Sequence, residues 1–181
     1  MKGIIIYSSK TGNTKRLAEY LYHAFEGRHE LTLCSIDDYK QYKKENFDFA
    51  LVGGWVHRAM PDKKVQKLLK KAAFPKLGLF VTLAAPPESD HGQEVRENLK
   101  RLLEGQDSLG YALLPGPVDP KVMDVISRKG WRGKLIPEKA RQAMVRIGMI
   151  AREATPEEYE AAAEAFALQK RTYRNRLFTE G

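Results

Sequence analysis

Short apolar runs that leave no polar face alternate along this chain with segments whose apolar residues recur at helical spacing. Phe47 to Val52 is apolar except for Asp48, and Lys76 to Leu83 carries Leu77, Leu79, Phe80, Val81 and Leu83. A strand apolar on both faces belongs in the middle of a parallel sheet covered by helices. Between such runs lie Leu17, Ala18, Leu21, Tyr22 and Phe25, then Val65, Leu68, Leu69 and Ala72, then Val95, Leu99, Leu102 and Leu103, each set on one helical face. Three strand-helix units in succession predict a parallel sheet with helices on both sides. Glu30 to Ile36 and Leu109 to Leu114 supply two further strands, so five are expected with the opening run Met1 to Tyr7. The second strand is expected to end at Asp37-Asp38 and the third at Gly53-Gly54, leaving 53–62 and 84–92 as loops, with Asp90 capping the helix after the latter. Tyr39 to Asn46 reads as a loop or brief surface helix, and Gly130 to Leu135 as a surface loop.

The opening strand breaks into Ser8-Ser9-Lys10-Thr11-Gly12-Asn13-Thr14, with no apolar residue before the first helix. A strand-to-helix junction of this kind is an anion site: unpaired backbone N–H groups of the first turn face the loop, the helix dipole adds positive potential, and hydroxyls can donate as well. Dinucleotide and Walker-type phosphate loops are excluded, because neither their glycine spacing nor a Gly-Lys-Ser/Thr is present. In a parallel sheet, ligands sit at the strands' carboxyl ends, where 8–14, 53–62 and 84–92 can meet. The second of these carries Trp55, whose indole offers a face for stacking beside the close backbone approach that Gly53 and Gly54 allow.

The pattern Ser9-x-Thr11-Gly12-x-Thr14, after a strand and at the chain's start, resembles the phosphate loop of flavodoxins. The resemblance continues through Gly54-Trp55-Val56, Asp62-Lys63-Lys64, Gly78-Leu79-Phe80, Pro87-x-Ser89-Asp90-His91 and Val118-Asp119-Pro120-Lys121. These segments are similar to the flavodoxin-like proteins that accompany bilirubin reductase in gut-type bacteria. It implies an α/β three-layer sandwich with a five-stranded parallel sheet in the order 2-1-3-4-5. It implies FMN as cofactor, its phosphate on Ser8, Ser9, Lys10, Thr11, Gly12, Asn13 and Thr14. The ring is then expected between Gly54, Trp55, Val56 and His57 on one side and Ala84, Ala85, Pro86 and His91 on the other. Two departures carry consequences. The third loop, Ala84-Ala85-Pro86-Pro87, lacks a stacking aromatic, and 31 Lys and Arg against 23 Asp and Glu leave a net charge of +8 where flavodoxins are usually acidic. A basic, singly stacked site favours the anionic reduced flavin.

The function implied is electron transfer to or from a partner enzyme, with bilirubin reductase the specific candidate and an acidic patch expected on that partner. Alternatives are an FMN-dependent NAD(P)H:quinone-type oxidoreductase and a flavodoxin-like interaction module without redox activity. No catalytic acid–base set and no metal-ligand spacing is legible. A single α/β domain over 1–181 is expected, its core about 1–150, with a helical extension over about 151–181. Within that extension a helix is expected from Pro156 to Leu177, capped by Thr155, and its Lys170, Arg171, Arg174 and Arg176 are candidates for docking the acidic partner. Nucleic acid is not the expected partner, for want of any recognition motif, nor is a membrane, for want of a spanning segment. The single Cys34 and the lack of a targeting segment point to the cytoplasm.

Overall fold

The computed structural model describes residues 1–118, 121, 123, 124, 130, 131, 134, 135 and 137–168. The opening apolar run is strand β1 (Lys2–Tyr7), followed by α1 (Asn13–Phe25) and β2 (Glu30–Ser35). A single 3-10 turn at Tyr39–Gln41 leads to β3 (Phe49–His57), the two-residue β4 (Met60–Pro61) and α2 (Lys63–Leu69). Then come β5 (Leu77–Leu83), α3 (Asp90–Leu103) and β6 (Ser108–Pro115). A short antiparallel pair, β7 (Gly130–Trp131) with β8 (Lys134–Leu135), stands where a surface loop was expected. Helices α4 (Glu138–Ile150) and α5 (Pro156–Glu164) close the described chain.

Five strands pair in parallel in the spatial order β2-β1-β3-β5-β6, with β4 antiparallel to the end of β3. Counting the five long strands alone, this is the expected order 2-1-3-4-5. Side chains alternate between the sheet's two faces as the strand period requires. Ile4, Ile6, Ala50, Val52, Leu79 and Val81 pack with Val65 of α2 and Val95 and Leu99 of α3, while Ile5, Phe49, Leu51 and Phe80 pack with Leu17, Leu21 and Phe25 of α1. Ala162, Ala163 and Phe166, in and just after α5, belong to that second face, where Phe166 meets Phe25 edge-on and the Ala167 amide donates to the Leu109 carbonyl.

The expected strand end at Gly53-Gly54 is corrected: β3 runs on to His57. Glycine stands at both strand positions because neighbours occupy the space a side chain would need. A Cβ on Gly53 would overlap the Phe80 ring, and one on Gly54 would press on Asp62 Oδ2 and Val65. The cap of α3 is also corrected, since Ser89 rather than Asp90 accepts the Gly92 amide. Asp62 caps α2 by accepting the Lys64 amide, and Thr155 forms a capping box with Glu158. The expected helix from Pro156 to Leu177 is corrected: it ends at Glu164 with Ala165 as its C-cap, and 165–168 are not helical, while Lys170, Arg171, Arg174 and Arg176 lie outside the described residues.

Cys34 is buried, and desolvation, with a smaller effect from Asp38, pushes its thiol up to about 12. Because the thiolate is the nucleophile, iodoacetamide at pH 8 should leave Cys34 unmodified in the folded chain and alkylate it readily in denaturant. Equal rates in both states would show the thiol to be accessible.

Candidate functional site

The carboxyl ends of β1, β3, β5 and β6 all open on the same edge of the sheet. At the end of β1 the Ser8 amide donates to the Gly53 carbonyl, so the loop leaves the sheet already fixed against β3. Ser9 Oγ accepts the Gly12 amide at 3.1 Å, closing a tight turn. Gly12, at φ 96°, is in the left-handed region that suits glycine, and it stands as the residue before α1 without a side-chain cap. The next amides, of Asn13, Thr14 and Lys15, precede the first possible intrahelical bond and are left for a ligand. Thr14 is turned inward, its hydroxyl sharing a 2.8 Å hydrogen bond with that of Thr82, which ties the loop to β5.

The 53–62 segment is a hairpin rather than an open loop. Val56 pairs with Pro61 and His57 with Met60, and the turn is made by Arg58 and Ala59 at φ 52° and 58°. Left-handed conformations at two non-glycine residues cost about 1–2 kcal/mol each, so the surroundings must hold them. Asn98 of α3 does so by donating to the Ala59 carbonyl at 2.9 Å, and Gln66 of α2 donates to the Pro61 carbonyl at 2.7 Å. Asn98→Ala should therefore lower stability by about 1 kcal/mol and loosen the hairpin, read as faster amide exchange at Ala59 and Met60. Unchanged exchange there would show that the turn holds itself.

Trp55 rides on this hairpin. Its ring lies 5.6 Å from that of His57, and the Lys10 ammonium lies 5.6 Å from its centroid, within cation–π reach. On one side Trp55 borders a cleft of about 170 Å³ shared with Lys10, Thr11, Asn13, Val56, Thr82, Leu83, Ala84, Gly116, Pro117 and Val118. Asn13 pins the far wall by donating to the Pro117 carbonyl at 2.9 Å, while the Gly116 amide donates to the Leu83 carbonyl. A second cavity of about 450 Å³ is lined by Ser8, Ser9, Lys10, Trp55, His57, Asp62, Lys63 and Lys64.

Of the residues singled out from the sequence, Lys10, Thr11, Asn13, Trp55, Val56 and Ala84 thus meet around one cleft, and Ser8, Ser9 and His57 line the cavity beside it. Gly12 makes the turn before α1, Thr14 is turned onto Thr82 and Gly54 is a residue of β3, and none of the three lines either cavity. Ala85 is buried in the core, the Pro86 carbonyl accepts the Ser89 hydroxyl, and His91 sits on α3 with its ring 3.6 Å from Glu94, lining neither cavity. Sequence reasoning missed Thr82, Leu83 and the Gly116-Pro117-Val118 segment. The signal was present, since 116–118 follows the fifth strand and must emerge at the same sheet edge.

The flavodoxin domain family profile matches residues 4–163. The chain belongs to the flavodoxin family. A curated relative, the flavodoxin-like domain-containing protein BilS of Clostridioides difficile (strain CD3), is 28% identical over 121 residues, 65% of this chain and 68% of the relative. Among solved structures, an archaeal flavodoxin is 18% identical with a TM-score of 0.48, covering 90% of this chain and 99% of its own. A flavoprotein from Lactobacillus acidophilus NCFM in complex with FMN is 18% identical with a TM-score of 0.46, covering 62% and 92%. Among the described residues of this flavodoxin no helix is long and apolar enough to cross a membrane.

The donor set suits a flavin mononucleotide. The unpaired amides at the start of α1 and the Thr11 hydroxyl suit a phosphate, and Lys10 adds positive charge beside them. The adjoining cleft is walled by an indole, by Val56, Leu83 and Ala84, and by the Gly116-Pro117 backbone, which suits a flat aromatic ring.

Proposed function

We propose that this flavodoxin binds FMN in the Trp55 cleft and passes electrons between partner proteins, with bilirubin reductase as the partner enzyme and the cytoplasm as the compartment. The observation that carries this reading is the meeting of the Ser8–Thr14 loop, Trp55 and Ala84 around one cleft. When bound, FMN supplies reversible one- and two-electron redox chemistry. The protein's own residues hold and tune it. The amides of Asn13, Thr14 and Lys15 fix the phosphate, Trp55 offers an aromatic face, and Lys10 favours negative charge added nearby.

A carrier needs no acid–base set and no second nucleotide site. The resemblance to BilS supports the choice of partner. To test the reading, the FMN-loaded chain is mixed with NADPH or NADH and a quinone, and then in reduced form with bilirubin reductase. The proposal expects slow NAD(P)H oxidation by the chain alone and fast reoxidation that depends on the partner, slowed by salt. Rapid NAD(P)H-driven quinone reduction by the chain alone would overturn it in favour of a quinone-type reductase.

A further inference from the structure

Helix α2 and its continuation carry Lys63, Lys64, Lys67, Lys70 and Lys71 with no acidic residue between them. Facing it across a groove, the 36–43 segment adds Lys40 and Lys43. The groove, about 680 Å³, has an apolar floor that includes Leu68, Ile36, Tyr39 and Ala72. Lys64 reaches across it to Asp37 at 2.6 Å, but Lys40, Lys43, Lys67 and Lys71 are exposed and make no ion pair among the described residues.

An ordinary solvated helix face intersperses its charges, and this chain does so elsewhere. Lys100 pairs with Glu97 on α3 and Arg141 with Glu138 on α4. On α2, Lys63 and Lys67 place like charges at i,i+4, a spacing that destabilises a helix by a few tenths of a kcal/mol, and Lys70 and Lys71 follow directly after the helix end. The concentration of unpaired positive charge is thus unfavourable for the isolated chain and suits a negatively charged surface. Lys64 lines both this groove and the cavity that Lys10 and Trp55 border, so the groove lies next to that cavity.

We infer that the lysine-lined groove between the 36–43 segment and α2 is the docking surface for an acidic partner protein, taking an apolar side chain flanked by carboxylates. The apolar floor favours a protein over a nucleic acid, whose backbone offers charge without an apolar side chain to cover Leu68 and Ala72. The identity of the partner as a redox protein rests on the function proposed above, but docking can be read without electron transfer.

The probe is a fluorescein-labelled peptide of glutamates with leucines at helical spacing, titrated with the full chain and followed by anisotropy. Lys67→Glu with Lys71→Glu should weaken binding at least roughly tenfold, as should replacing the peptide's leucines by serine. The charge-matched Lys139→Glu with Arg146→Glu on α4 should change binding less than about twofold. Equal weakening by both double variants would overturn the groove by showing that net charge alone attracts the peptide. Tighter binding of a single-stranded RNA of the same length, lost in the α2 variant, would overturn it in favour of nucleic acid. FMN affinity is measured on the same samples. If the chain binds no FMN yet the α2 variant alone loses the peptide, the groove stands and the electron-transfer reading falls.

Discussion

Phe80→Ala should lower the folding stability by about 3–5 kcal/mol, the range for truncating a fully buried aromatic side chain. Phe80 is 0% exposed and lies in β5, an interior strand of the sheet, opposite Gly53 in the register with β3. Its ring fills the space that a side chain at 53 would take. The substitution leaves a void lined by residues of α1 and the sheet, and collapse of that void is opposed by strands held on both edges. At a few degrees per kcal/mol for a chain of this size, the melting temperature should fall by roughly 10 °C. The measurement is calorimetric or denaturant unfolding of both proteins without added FMN, so that ligand binding does not mask the loss. A change below about 1 kcal/mol would mean that Phe80 is not the packing partner of Gly53.

Trp55→Ala should weaken FMN by roughly tenfold to hundredfold, since stacking on an indole contributes about 1–3 kcal/mol. The fold should survive it, because the backbone of the hairpin is held by other groups. The Asp62 amide donates to the Trp55 carbonyl at 2.9 Å, and Asn98 and Gln66 pin the turn. Trp55→Phe keeps a stacking face and should recover most of the affinity. If alanine and phenylalanine bind FMN equally well, the ring does not rest on residue 55.

These two residues also show what could be read without a structure. The five strands, their order and the meeting of the Ser8–Thr14 loop with Trp55 follow from local apolar patterning, a hydroxyl-rich loop and the family resemblance. Why β3 runs on to His57 could not be read locally. Gly53-Gly54 is a strand breaker by composition, and the ring that makes glycine necessary at 53 is 27 residues away in sequence, on β5. The hairpin turn was hidden for the same reason, because Arg58-Ala59 lacks the Asn-Gly signature of left-handed turn residues and is held by Asn98 from α3. Pro115, Gly116 and Pro117 break regular structure by composition, yet Asn13 of α1 binds the Pro117 carbonyl and makes that segment the far wall of the cleft. Asp62 illustrates a further limit: one oxygen caps α2, while the other is buried without a partner among the described residues beside Gly54.

The central claim is that FMN occupies the cleft bordered by Thr11, Trp55 and Ala84. The chain has two tryptophans, so Trp131→Phe leaves Trp55 as the one tryptophan reporter. Titrating FMN into that variant, with tryptophan fluorescence followed alongside flavin absorbance, should give a single saturable transition at one FMN per chain with strong quenching of Trp55. No quenching up to micromolar FMN, or binding that leaves Trp55 fluorescence unchanged, would contradict the account.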